Sequence, residues 1–356
     1  MKTFSPVSSL RKALLVVLLA LASATAPAWA EKYASIVVDM DSAQVLHARN
    51  ADDPRYPASL TKVMTLYLVF DAIDAGTLKL SDRLPVSKAA AAQQPSKLGL
   101  KSGSTIKVED AIRALVTKSA NDVAVVLAEK LGGTERKFAV KMTEKARELG
   151  LENTTFRNAS GLPNTEQVST ARDLAKLAEA MFFDHRDHYN YFSTSQFTWN
   201  KRRYENHNTL LKRVQGVDGI KTGYTNASGY NLMASAERDG HRVIAVMLGG
   251  ATGKSRDQHV TDLLEAAFTQ INGGAAIADA GQTTGFVARS SLSSADDLAL
   301  AQLRRFVEAD AALEKASATA VDEIATHEGT EEGDADQAVA EDSIEPADSA
   351  PDQRTR

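Results

Sequence analysis

The chain has 356 residues, 43% apolar and 24% charged, which is enough for one large domain or two ordinary ones and excludes fibrous or wholly disordered organisation. Cysteine is absent, so disulfides, thiolate metal sites and thiol nucleophiles are excluded. The net charge of -5 is uneven: residues 322–356 carry -10 and the remainder +5, so no broad basic field argues for a nucleic-acid partner.

Residues 1–30 read as an export signal. Lys2, Arg11 and Lys12 give a charged start, Ala13 to Ala24 an apolar run too short for a bilayer span, and Ala28-Trp29-Ala30 a cleavage site. The mature chain is expected to begin at Glu31. Residues 33–39 and 45–48 predict a hairpin, and residues 58–73 a strongly apolar helix. Three helices follow over 108–116, 122–131 with Gly132 as its stop, and 134–149 with Gly150 as its stop. Residues 219–224, 230–237 and 242–248 predict three strands, the last two joined by an Asp239-Gly240 turn. Strands at both ends of a helical middle predict an α+β fold: a mixed, mostly antiparallel sheet completed from both ends of the chain and flanked by helices, with an inserted helical lobe. This folded domain is expected to span 31–272. Residues 273–321 read as a linker whose 294–315 stretch is an amphipathic helix, and 322–356 as a disordered acidic tail, solvated or serving as a docking arm for a protein partner.

Three short motifs carry chemistry. Ser59-Leu60-Thr61-Lys62 opens the apolar helix, so Ser59 and Lys62 share one face and their side chains can meet. A lysine acts as base to a serine hydroxyl once burial and neighbouring cations make it neutral, and Val63, Met64 and Leu66 predict that burial. The spacing alone is weak evidence, since Ser9-Leu10-Arg11-Lys12 matches it too and an N-cap serine is the bland alternative. Ser119-Ala120-Asn121 links two predicted helices, where it is either a cap or a pair of polar groups aimed into a cleft. Lys221-Thr222-Gly223 sits on a predicted strand, with Gly223 allowing close backbone approach by a ligand.

Together and in this order, SxxK, SxN and KTG are the motif set of penicillin-binding proteins and serine β-lactamases. The sequence resembles the low-molecular-mass D-alanyl-D-alanine carboxypeptidases over roughly residues 33–270. The likeness continues through Asn158-Ala159-Ser160-Gly161-Leu162-Pro163, Ser169-Thr170-Ala171-Arg172-Asp173-Leu174-Ala175, Asn206-His207-Asn208 and Gly229-Tyr230-Asn231-Leu232. The resemblance implies a periplasmic serine peptidase of β-lactamase/DD-peptidase-like fold, acting on peptidoglycan stem peptides, trapped covalently by β-lactams, and needing no cofactor or metal. It implies that Ser59 is acylated, that Lys62 is its base, and that Ser119 and Lys221 relay the proton to the leaving D-alanine. Asn121 would hold the substrate's peptide carbonyl, and the N–H groups of Ser59 and Tyr224 would bind the oxyanion. Thr222, helped by Arg256, would receive the terminal carboxylate, with the Tyr224 ring at the mouth.

The departures matter as well. An acidic tail is repelled by anionic lipid, which argues against a C-terminal membrane anchor. Glu166 is followed four residues later by Thr170, so the E-x-x-x-N element of class A β-lactamases is missing. His185-Arg186-Asp187-His188 has metal-like spacing without an HExxH pattern and reads as a loop, and His207 and His241 read as scattered polar residues. A DD-endopeptidase using the same residues is the nearest rival, and a non-catalytic peptidoglycan-binding scaffold the more distant one.

Overall fold

The computed structural model describes residues 32–273. The proposed signal, the 294–315 helix and the acidic tail lie outside the described residues. Strands β1 (Ala34–Asp39) and β2 (Val45–Arg49) form the expected hairpin. The chain then passes through a single 3-10 turn (Ala58–Leu60) into helix α1 (Thr61–Asp74). A helical lobe follows: α2 (Lys88–Ala91), α3 (Val108–Thr117), α4 (Asn121–Gly132) and α5 (Glu135–Glu148), with a short ribbon of β3 (Arg83–Pro85) and β4 (Thr105–Lys107) at its edge. After α6 (Ala171–Asp184) and a 3-10 segment (Arg186–Ser193), β5 (Gln196–Trp199) and β6 (Arg202–Glu205) make a second ribbon. A further 3-10 turn (Thr209–Lys212) leads to β7 (Val217–Thr225), β8 (Gly229–Arg238), β9 (His241–Gly250) and α7 (Gly253–Ile271).

The main sheet has the order β2-β1-β9-β8-β7, so the N-terminal hairpin pairs with the last strand and the chain closes the sheet from both ends. Every pairing is antiparallel, which corrects the expectation of a mixed sheet. Alternation of side chains builds a core on each face. Ile36, Val38, Met233, Ile244, Val246 and Leu248 face the helical side with α1, α3, α4, α5 and α6. Val37, Leu232, Ala234, Val243, Ala245 and Met247 face the other side, where α7 covers them with Val260, Leu264, Ala267 and Phe268. Helix α1 is buried over most of its first ten residues, with Leu66, Val69 and Phe70 each fully enclosed, and emerges toward solvent at Asp71–Asp74.

Other expectations are refined rather than met. Gly132 does not stop its helix; it lies within α4, and Gly133 (φ 73°) is the left-handed residue that ends it. Gly132 is needed for packing, since a Cβ there would lie 2.7 Å from the Phe138 backbone nitrogen. Helices α6 and α7 were not evident in the apolar pattern but start on strong caps: Thr170 accepts from Asp173 N–H, and Thr252 and Ser255 form a capping box. The His185 region is a 3-10 segment rather than a loop. His185 Nδ1 and His188 Nε2 both bond the Asp74 carboxylate, at 2.8 and 2.7 Å, which ties the end of α1 to that segment. No helix among the described residues is long and apolar enough to cross a membrane.

Candidate active site

The 3-10 turn that carries Ser59 is gripped by backbone from two sides. Gly223 on β7 lies so close that a Cβ would sit 3.0 Å from Ser59 N and 3.2 Å from Pro57 O. Gly161 (φ 84°) presses from the other side, where a Cβ would overlap the Ala58 carbonyl at 1.9 Å. Asn231 on β8 straps the approach to the turn: its Nδ2 donates to Tyr56 O (3.0 Å) and Pro57 O (3.2 Å), and its Oδ1 accepts from Gly249 N–H (3.0 Å). The loop that supplies Gly161 is held by Asn158 Oδ1, which accepts from Gly161 N–H at 2.7 Å. Glycine serves at positions 161 and 223 because main chain meets main chain there, leaving no room for a side chain.

One helical turn on, Lys62 is fully buried and its Nζ reaches Ser59 Oγ (3.2 Å), Asn121 Oδ1 (2.7 Å) and the Ser160 carbonyl. Burial, and then the neighbouring charge of Lys221, hold its pKa well below the ordinary lysine value, against an opposing pull from Glu135 and Asp122. Lys221 on β7 is also buried. Burial and the Arg256 guanidinium push its pKa down to about 7. Its Nζ donates to the Thr222 carbonyl at 2.9 Å. Ser119 sits between α3 and α4 in the left-handed region (φ 58°), and its buried Oγ has no hydrogen-bond partner among the described residues. Among the described residues no hydrogen bond links Ser119 Oγ to Lys221 Nζ, the two groups assigned to the relay.

Asn121 joins the helical lobe to the cleft wall. Its N–H donates to Ser96 O (2.7 Å) and its Nδ2 to Gln94 O (2.9 Å). Next to it, the Asp122 carboxylate accepts the N–H groups of Leu98, Gly99 and Leu100. An SxN motif followed by aspartate thus positions a whole loop as well as its own side chains.

These groups converge on one cleft of about 370 Å³, of the size small ligands occupy. Ser59, Ser119, Asn121, Thr222, Gly223, Tyr224 and Arg256, seven of the nine residues singled out from sequence, line it. The other two, Lys62 and Lys221, lie buried against it. Arg256 is held by Asp257 Oδ1 (2.7 Å) and the Asn231 carbonyl (2.9 Å). Tyr224 is half exposed at the rim and packs on Tyr230 with ring centroids 4.3 Å apart. No carboxylate lines the cleft among the described residues. Glu166 instead pairs with Arg157 on the surface, its side chain 69% exposed.

Sequence reasoning missed His207 as a site residue. It is not a scattered polar side chain but a cleft-lining one. The available signal was its place between Asn206 and Asn208, whose side chains fix the local backbone through Thr194 O (2.9 Å), Asn208 N–H (2.8 Å) and Gly219 O (3.0 Å). The Ser160 carbonyl was also missed, because a main-chain acceptor leaves no mark in residue type.

Comparison with known proteins agrees with this geometry. Residues 21–252 match the peptidase S11 family model, described as D-alanyl-D-alanine carboxypeptidase. The chain is 36% identical to the D-alanyl-D-alanine carboxypeptidase DacF of Bacillus subtilis over 251 residues, covering 67% of this chain and 63% of DacF. Among solved structures it is similar to penicillin binding protein 5 of Haemophilus influenzae, at 35% identity and a TM-score of 0.65, over 66% of this chain and 70% of that one. It is also similar to penicillin-binding protein D2 of Listeria monocytogenes in a cefotaxime-bound form, at 34% identity and a TM-score of 0.61, over 66% and 96% of the two chains. The chain spans about three fifths of the length of the curated relatives it matches. With the family model matching well over half of its residues and the SxxK, SxN and KTG motifs meeting in one cleft, the chain belongs to the D-alanyl-D-alanine carboxypeptidase family of peptidases.

Proposed function

We propose that the protein is a serine-type D-alanyl-D-alanine carboxypeptidase that removes the terminal D-alanine of peptidoglycan stem pentapeptides through an acyl-enzyme on Ser59. The observation that carries this reading is the buried Lys62, with Nζ 3.2 Å from Ser59 Oγ at the edge of a cleft without carboxylates. A neutral amine has two N–H groups and one lone pair. Asn121 Oδ1 and the Ser160 carbonyl take the two N–H groups, which leaves the lone pair for the Ser59 hydroxyl proton.

In this reading Ser59 Oγ attacks the carbonyl of the penultimate D-alanine while its proton passes to Lys62. The N–H groups of Ser59 and Tyr224 receive the developing oxyanion, a contribution of about 3–4 kcal/mol per donor in comparable sites. The approach of β7 to Ser59 N at Gly223 supports that pairing. As the C–N bond breaks, the proton that Lys62 took from Ser59 passes through Ser119 and Lys221 to the leaving amine, so Lys62 is neutral again when the acyl-enzyme stands; the buried Ser119 Oγ, unpartnered among the described residues, supports such a role. Thr222 and Arg256 hold the terminal carboxylate, and Asn121 the peptide carbonyl. Water then attacks the ester, gives its proton to Lys62, and Ser59 regains its hydrogen.

By its likeness to the cefotaxime-bound Listeria protein, the site is also acylated by β-lactams. With no carboxylate among the described residues that line the cleft and Glu166 on the surface, the carboxylate base that drives penicillin hydrolysis in class A β-lactamases has no counterpart there, so the adduct should persist. Export to the periplasm is part of the same reading, supported by the apolar run and Ala28-Trp29-Ala30. The catalytic domain is assigned to 31–272, with the acidic tail left for a protein partner.

The test is release of free D-alanine from a soluble Lys-D-Ala-D-Ala peptide by the native protein and by Ser59→Ala. Release by the native protein alone is expected. Penicillin trapping without D-alanine release would turn the reading toward crosslinked peptides, and the absence of both would end it.

A further inference from the structure

His207 is a cleft residue that the reaction above does not use. Its backbone is pinned on both sides by Asn206 and Asn208, yet its imidazole makes no hydrogen bond or ion pair among the described residues. Two further polar groups of the same cleft are similarly open among the described residues: the Thr222 hydroxyl has no partner, and Arg256 commits Nε and Nη1 to Asp257 and Asn231 while Nη2 has none. Three unpartnered donors in a cleft without carboxylates form a receptor for an anion.

Resting on the carboxypeptidase reading, we propose that His207 is a specificity-determining residue, its imidazole N–H binding the C-terminal carboxylate of the peptide together with Thr222 and Arg256. The electrostatics around it run the same way. The ring is exposed at the cleft, and desolvation on its inner side, followed by the charges of Lys221 on β7, Lys118 at the end of α3, Arg256 on α7 and Lys62 on α1, lowers its pKa. The ring is therefore neutral near pH 7 and keeps one N–H to donate. Crowded cations with no anion among the lining groups are relieved when a carboxylate enters, so the free-acid end of the ligand gains most from this corner of the cleft.

The test uses ligand pairs that differ only in that carboxylate: benzylpenicillin and its methyl ester, and the Lys-D-Ala-D-Ala peptide and its C-terminal amide. His207→Ala should slow covalent acylation by the free penicillin about tenfold, the effect of losing one hydrogen bond to a charged group, and leave the ester within about twofold. His207→Gln, which keeps an N–H donor, should recover most of the loss. With the peptide pair, His207→Ala should raise KM for the acid while kcat stays near native. An equal loss for acid and ester would mark a structural role, a fall in kcat with KM unchanged a proton-transfer role, and no loss for either no role; each overturns the proposal. The penicillin pair reads His207 even if the native protein releases no D-alanine, so failure of the carboxypeptidase reading is seen separately.

Discussion

Lys62→Met removes an amine from the centre of the site and keeps the volume and the apolar stem. Two contributions to acylation disappear together: the base 3.2 Å from Ser59 Oγ, and the donor that holds Asn121 Oδ1 at 2.7 Å. Positioned general bases contribute roughly 10²–10⁴-fold, so acylation by penicillin should fall by about 10³-fold, or about 4 kcal/mol of barrier. Stability should respond quite differently. Asn121 Oδ1 and the Ser160 carbonyl each lose a donor, at a cost of about 1–3 kcal/mol per buried acceptor. Against that, methionine removes a buried amine whose proton is held only weakly, a state that itself opposes folding at neutral pH. The two effects oppose one another, and the midpoint of thermal unfolding should move by no more than about 5 °C. Adduct formation followed by mass spectrometry at pH 7.5, beside a thermal melt of the same samples, checks both. A variant that acylates within tenfold of native would remove Lys62 as the base. Loss of acylation together with a collapsed melt would make Lys62 a structural residue.

Lys221 should make stability depend on pH. Its folded pKa, about 7, lies below the ordinary lysine value of 10.5, so between those limits the unfolded chain binds a proton that the folded one lacks and stability rises with pH, by up to about 5 kcal/mol. Lys62 acts in the same direction, so the urea midpoint of native protein should rise between pH 7 and 9.5 more than that of Lys221→Met; equal rises would contradict the assignment. Gly161→Ala places a methyl 1.9 Å from the Ala58 carbonyl at a left-handed position and should cost more than about 3 kcal/mol or displace the Ser59 turn, read as a lowered melt with slowed acylation. Gly132→Ala meets the Phe138 backbone at 2.7 Å instead, far from the cleft, and should lower stability by about 1–3 kcal/mol while each folded molecule acylates normally. Titration of active sites with fluorescent penicillin separates these two glycine effects.

What was legible in the sequence follows from which physics leaves a local trace. The SxxK pair became legible only with SxN and KTG in order behind it, since its spacing and apolar run occur also at Ser9–Lys12, and the Asp239-Gly240 turn through residues that tolerate the left-handed region, both with positive φ. The KTG strand was readable because Gly223 is needed where β7 meets the Ser59 turn. Helix α7 was harder, because only one stripe of it is apolar, through Val260, Leu264, Ala267 and Phe268, and its strongest marker is a capping box of Thr252 with Ser255. The two small ribbons left almost nothing to read, since three- and four-residue strands are too short to establish a period. The Ser160 carbonyl on Lys62 and the placing of the His207 ring near Lys221 bring together segments 98 and 14 residues apart in sequence, where residue type carries little information.

The turn that carries Ser59 offers the last prediction. Ala58 adopts φ 49°, a left-handed conformation that disfavours a residue with a Cβ by about 1–2 kcal/mol, immediately before Ser59. Glycine at this position would relieve that strain, but it would add about 0.5–1 kcal/mol of conformational entropy to the unfolded chain and lose a buried methyl contributing about 0.8 kcal/mol. These effects nearly cancel, so Ala58→Gly should leave the melt within a few degrees of native. Its consequence should appear in rate. The Ala58 methyl lies 3.2 Å from where a Gly223 Cβ would stand, and it fills the narrow space between β7 and the turn. Without it the turn gains room to shift, and the Ser59 N–H loses its fixed alignment with the Tyr224 N–H on the neighbouring strand. Donors stabilise an oxyanion most when they need not reorganise during the reaction, so acylation should slow by about tenfold at unchanged stability. Native-like rates in Ala58→Gly would mean that Gly161, Gly223 and Asn231 hold the turn without help from the strained alanine.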